Sequence, residues 1–174
     1  MRRTLTIATA AVLLAGLAAC SNSKTGTTTA DKPTALSKPA TVSKPVNAST
    51  AFMKLSAMVD SAKLSGTVTA ANDPNHLLGR PSQYASKVTF NDTRIKAGDV
   101  SGTDKGDVDR GGAIEVFATP ADATARAKYI QAVTKSMPML SEYDYVHGTV
   151  LVRVSHYLTP EQAAGYKTAA NGIG

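Results

Sequence analysis

The chain has a single cysteine, Cys20, and no tryptophan. No disulfide can close within it, so its fold rests on burial and hydrogen bonding alone. Aromatic residues are 5% of the sequence, which leaves most of the core to aliphatic side chains. The three histidines, His76, His147 and His156, stand at no helical or hairpin ligand spacing. With no second cysteine to complete a set, no metal site is expected from them. Nucleophile and phosphate motifs are missing as well: there is no Gly-x-Ser-x-Gly and no Walker loop. The one Ser-x-x-Lys, Ser21 to Lys24, falls where no rigid scaffold is predicted. Without a recognisable acid–base pair, the sequence predicts no enzyme and no cofactor.

Long apolar runs are scarce too. The one candidate, Ile7 to Ala19, is apolar apart from Thr9 and follows a basic Met1-Arg2-Arg3 start. It is shorter than the roughly 20 apolar residues that a membrane-crossing helix needs. A basic start before an apolar stretch of this length reads as a cleaved export signal, residues 1–19. At its end, Leu17-Ala18-Ala19-Cys20 resembles the lipobox of bacterial lipoproteins. The resemblance implies cleavage between Ala19 and Cys20 and a diacylglyceryl group on the Cys20 thiol. It also implies a chain exported and held by lipid to the outer face of the cell membrane. Burial of an acyl chain is worth about 0.8 kcal/mol per methylene, and stable anchoring takes two chains.

Positive charge is concentrated near the start. Once residues 1–19 and their two arginines are set aside, 17 basic residues face 13 acidic ones. Residues 20–49 hold Lys24, Lys32, Lys38 and Lys44 against Asp31 alone. Residues 50–174 are then close to neutral, with 13 basic and 12 acidic residues. A nucleic-acid partner is not expected, because such a domain needs a basic face of its own. Residues 20–49 are rich in Ser, Thr, Lys, Pro and Ala, a composition that buries too little to offset its ordering entropy. Lys32-Pro33, Lys38-Pro39 and Lys44-Pro45 recur every six residues and bias the segment to an extended form. It reads as a tether of up to ~90 Å at ~3.1 Å per residue.

Residues 50–174 are expected to form one α+β domain. Ser49 or Thr50 caps a predicted helix running to Leu64, with Phe52, Leu55, Val59 and Ala62 as its buried stripe. Gly66 to Ala71 reads as either a short strand or a connection. Asn72 to Pro81 reads as one short helical turn capped by Asp73, with Pro74 at its first position and Gly79 ending it in the left-handed region. Tyr84 to Asn91 alternates as a strand, and Gly112 to Ala118 as another with Glu115 and Phe117 facing outward. Between them is a long loop with Asp99, Asp104, Asp107 and Asp109, whose spacing does not fit an EF-hand. Thr119-Pro120-Ala121-Asp122 opens a helix to Met137. Glu142 to Val146 and Thr149 to Ser155 pair as a hairpin around His147-Gly148, which sets Glu142 opposite Arg153. Thr159-Pro160-Glu161-Gln162 opens the last helix. The order predicts a two-layer sandwich: one mixed or mostly antiparallel sheet with helices on one face.

Asn72-Asp73-Pro74-Asn75-His76-Leu77-Leu78-Gly79-Arg80-Pro81 resembles a stretch shared by small actinobacterial lipoproteins of uncharacterised function, where a tyrosine-containing strand follows. The likeness runs from about Ala71 to Tyr166 and implies no activity. Over a shorter motif, Leu-Leu-Gly-x-Pro between a helix and a strand is similar to small envelope lipoproteins of the outer-membrane assembly type. A turn held between Gly and Pro presents its side chains rigidly, which makes Asp73, Asn75, Arg80 and Tyr84 a candidate recognition patch. The alternative is that Asp73, Asn75 and Arg80 satisfy backbone groups and pin the turn to the sheet. The expected function is that of a lipid-anchored envelope protein acting as a non-enzymatic binding or adaptor module. Its partners would be the membrane, through the anchor, and an envelope protein or ligand that the sequence does not specify. A prophage-type exclusion or inhibitor lipoprotein and an envelope hydrolase with a cryptic site remain as alternatives.

Overall fold

A computed structural model of the chain describes residues 46–173. The signal segment, Ala19, Cys20 and the tether up to residue 45 lie outside the described residues. Five strands form one sheet: β1 (Ala62–Thr67), β2 (Ser86–Asp92), β3 (Gly111–Val116), β4 (Glu142–His147) and β5 (Val150–Ser155). Three helices accompany it: α1 (Ala48–Ser56), α2 (Pro120–Ser136) and α3 (Pro160–Asn171). The spatial order is β1-β2-β3-β5-β4, and every neighbouring pair is antiparallel. It follows that β4 runs parallel to β3 with β5 between them, so β3, α2 and β4 make a split βαβ unit. The fold is α+β, one antiparallel sheet with helices packed on it.

Strand alternation assigns the helices to faces. Val88, Phe90, Ile114, Val116, Val150, Val152 and Val154 point one way and pack with α1 and α3 through Phe52, Leu55, Tyr166 and Ala169. Phe90 stacks on Tyr166 with ring centroids 5.4 Å apart. Gly112 lies opposite Phe90 in the ladder, and a Cβ there would collide with the Phe90 ring and the Arg153 carbonyl. Tyr84, Phe117 and Leu151 form a second cluster with Ala123, Ala127 and Ile130 of α2. Leu151 points away from its neighbours Val150 and Val152, so α2 packs on the opposite face. The predicted single helical face holds for α1 and α3; α2 covers part of the other. That is why Ala113, Glu115 and Phe117, expected to face outward, are buried. β3 is an interior strand with both sides covered.

Three local expectations are corrected. The first helix is capped by Asn47, whose side chain accepts from the Thr50 N–H at 2.9 Å, and it stops at Ser56 rather than Leu64. The Met58 N–H turns back to the Leu55 carbonyl, and the chain reverses into β1. Val59 and Ala62 are buried as the helical period requires, but from a turn and a strand. In the hairpin, His147 pairs with Val150, so the turn is Gly148-Thr149 and Asp144, not Glu142, faces Arg153. Gly148 takes φ +54°, which favours glycine and places the turn one residue later than expected. The pairing shifts by an even number, so each side chain keeps its face. Finally, Asn72 to Pro81 is a succession of turns rather than a helical turn, because His76 adopts φ +51°. Gly79 does take the predicted left-handed conformation, at φ +74°.

Candidate ligand cleft

The 72–81 turn is held from inside. Asp73 is 2% exposed, and its carboxylate accepts from the backbone N–H groups of Asn75, Leu77 and Leu78. The Tyr84 hydroxyl donates to the same carboxylate at 2.7 Å. Burial acts to raise the Asp73 pKa, but the Tyr84 bond and the three N–H bonds outweigh it and hold the group at about 2. Tyr84 is fully buried; desolvation first, then the adjacent Asp73 charge, push its hydroxyl pKa upward. A matching pair lies on the other side of the molecule. There the Tyr166 hydroxyl donates to Asp92 at 2.6 Å, and Arg94 grips Asp92 through Nε and Nη2.

Between α2 and this turn, the second face of the sheet is charged. Lys87 of β2 and Glu115 of β3 are directly paired, and their side chains meet at 2.9 Å. Glu115 has no exposed surface and also receives Arg126 of α2 and Arg153 of β5, each at 3.3 Å. Burial would raise its pKa, but Lys87, Arg153 and Arg126 lower it further than burial raises it. Arg153 continues the network as a fork onto Glu142, with both bonds at 2.7 Å. Asp144, opposite Arg153 in the ladder, is left out: both its carboxylate oxygens are buried without a partner. Desolvation, and then the Glu142 charge beside it, push its pKa up to about 8.

The long loop closes over part of this face. Arg110 organises it by donating to the carbonyls of Val100, Thr103 and Asp104 at 2.6–3.3 Å. Ser155 pins the end of the loop by donating to the Asp109 carbonyl at 2.8 Å. Gly106, at φ +90°, lets the backbone settle over the Thr89 side chain. His156 approaches Asp109 at 3.5 Å, so the two are the only close histidine–carboxylate pair among the described residues. No group of three or more potential metal ligands occurs among the described residues. None of their helices is long and apolar enough to cross a membrane.

What stays open is a cleft of about 640 Å³ between the 104–108 stretch and the segment from β1 to the 72–81 turn. That is within the usual range for small-ligand sites. Its floor is Lys87, Thr89 and Arg153. One side is formed by Ser65 to Val68, Asn72, Pro74 and Asn75, the other by Asp104 to Val108. Ser65 is there because β1 bulges: Leu64 faces Phe90 and Gly66 faces Thr89, leaving Ser65 as the extra residue. Its hydroxyl is buried and has no partner. A smaller cavity of about 260 Å³ adjoins it and shares Asp107, Val108 and Arg153.

Of the four residues singled out in the sequence, the structure brings one to the cleft. Asn75 lines it. Arg80 is exposed on the far side of the turn and is not part of the lining. Asp73 is interior and holds the turn, the second of the two roles the sequence allows it, and Tyr84 is interior too, donating to Asp73. The cleft residues Lys87, Arg153 and Ser65 were not evident from sequence alone. For Arg153, and for Glu115 that it meets, the signal is a charge between apolar neighbours in a strand, Val152-Arg153-Val154 and Ile114-Glu115-Val116. Compared with known proteins, the chain matches no family model, no curated protein and no solved structure.

Proposed function

We propose that the chain is a lipid-anchored cell-envelope protein whose α+β domain works by binding, with the cleft over Lys87 and Arg153 as its ligand site. The carrying observation is a cleft whose floor offers unspent hydrogen-bond donors. Lys87 makes one bond, to Glu115, of the three its ammonium can give. Arg153 spends one bond at each of its three nitrogens, of the five N–H its guanidinium carries. The anchor half of the reading is supported by Leu17-Ala18-Ala19-Cys20 behind an apolar stretch of signal length. The binding half is supported by the lining itself, in which fixed donors converge and no side chain stands as a nucleophile beside a free base.

Two measurements on the full chain test this. Mass and membrane partition, beside Cys20→Ala, test the anchor. A diacylated chain starting at Cys20, lost in the variant, is the expected result; a soluble unlipidated product would overturn it. Retention of solubilised envelope components by the detergent-held protein, beside Asn75→Trp, tests the cleft. Asn75 is exposed, so a bulky side chain there fills the cleft without entering the core. Retention lost in Asn75→Trp supports binding at this site, whereas turnover of a retained component would make the domain an enzyme.

A further inference from the structure

We infer that the cleft takes a short zwitterionic peptide, its carboxylate on the Lys87 and Arg153 floor and its ammonium against Asp104 and Asp107. This rests on the cleft being the ligand site proposed above and gives that site a ligand class. Spare N–H donors of Lys87 and Arg153 form one side of the space, and both side chains are largely buried. An acceptor that bonds to them is shielded from water, and a carboxylate is the acceptor that cationic donors hold best. The facing 104–108 stretch brings two exposed carboxylates, with Lys105 between them on the rim. A simple dianion or polyanion would meet these carboxylates; a ligand with opposite charges at its two ends satisfies both walls.

The lining also sets the size and character of the ligand. No aromatic side chain lines this cleft, so there is no stacking platform for a sugar ring or a base. Asn75, exposed on the lining, offers a side-chain amide that can bond to a peptide group between the two charged ends. About 640 Å³ accommodates two or three residues.

The probes are L-alanyl-L-alanine, its N-acetyl form and its C-terminal amide, titrated by calorimetry into the full chain. The free dipeptide is expected to bind with Kd on the order of 1 mM, as suits so few atoms. Blocking either end should weaken binding by about tenfold or more. The double variant Asp104→Asn/Asp107→Asn, at exposed loop positions, should bind the free and N-acetyl forms alike while still rejecting the amide. Circular dichroism of the double variant establishes that it is folded. Equal binding of all three probes, or of none up to about 10 mM, would sink the zwitterion assignment. The same dipeptide is then used to compete with the envelope component retained by the protein. Retention that is lost in Asn75→Trp but indifferent to dipeptide refutes the ligand class and leaves the cleft reading standing. Retention insensitive to both refutes the cleft as the site.

Discussion

The two faces of the sheet are built on opposite plans. Under α1 and α3, the contacts are mostly aliphatic and aromatic, with one buried carboxylate, Asp92, held by Tyr166 and Arg94, and stability scales chiefly with the apolar area removed from water. Under α2 and the 104–108 stretch, six ionisable groups share the space: Lys87, Arg126 and Arg153 against Glu115, Glu142 and Asp144. Burying them costs solvation that their mutual attraction only partly returns. A sheet that needed only stability could have an apolar second face. The difference separates two tasks: the apolar face holds the molecule together, and the charged face holds donors in fixed positions beside a cleft.

Four substitutions break or sharpen that contrast. The largest effect is expected from Glu115→Gln. It strips three cations of their shared counter-charge in a dry setting, and about 3–5 kcal/mol of stability should be lost in denaturant unfolding. A loss below about 1 kcal/mol would mean that the network contributes little. Next is Asp144→Asn, with the opposite sign. Unfolded, Asp144 ionises near 3.8; folded, near 8. Between those values the native state keeps a proton that the unfolded chain has released, so stability falls as pH rises through this window. The asparagine variant should flatten that slope and be the more stable protein above pH 8, by a margin on the order of a few kcal/mol. A slope unchanged in the variant would show that Asp144 is not its source.

Tyr84→Phe comes third, at about 1–3 kcal/mol, since it removes one hydrogen-bond donor from a buried carboxylate while keeping the ring. Asp73 is depressed to about 2 from an ordinary 3.8, so its contribution is present above 3.8 and lost as pH falls through about 2. With the hydroxyl gone, that acid-sensitive contribution should shrink, which unfolding followed from pH 5 to pH 2 can check. Smallest is Ile114→Val on the apolar face, at about 0.5–1.5 kcal/mol and indifferent to pH. If it proved as pH-sensitive as the charged-face variants, the division between the faces would fail.

Much of the fold was legible because local chemistry and tertiary structure agree. Thr119 and Thr159 cap their helices as their following prolines and polar side chains indicate. The strands appear where β-branched residues alternate, and an even error in the hairpin pairing left every face correct. The end of α1 was not legible. Phe52, Leu55, Val59 and Ala62 keep helical period although the helix ends at Ser56, since burial records distance to the core and not backbone state. The cleft was less legible still. Asp73 and Tyr84 stood out because they are local to one motif, and for the same reason they serve that motif. Lys87, Glu115 and Arg153 meet only because β2, β3 and β5 are neighbours, and that adjacency is a property of the topology.

The bulge at Ser65 has a bearing on self-association. β1 and β4 are the two open margins of the sheet, and each carries a row of backbone groups that a second molecule could extend. On β1 the extra residue breaks the regular spacing that such an extension needs. On β4 it is Asp144, a carboxyl turned inward on the outermost strand, that makes a flat continuation unfavourable. Two unrelated irregularities thus make each margin of the five-stranded sheet a poor template for a further strand.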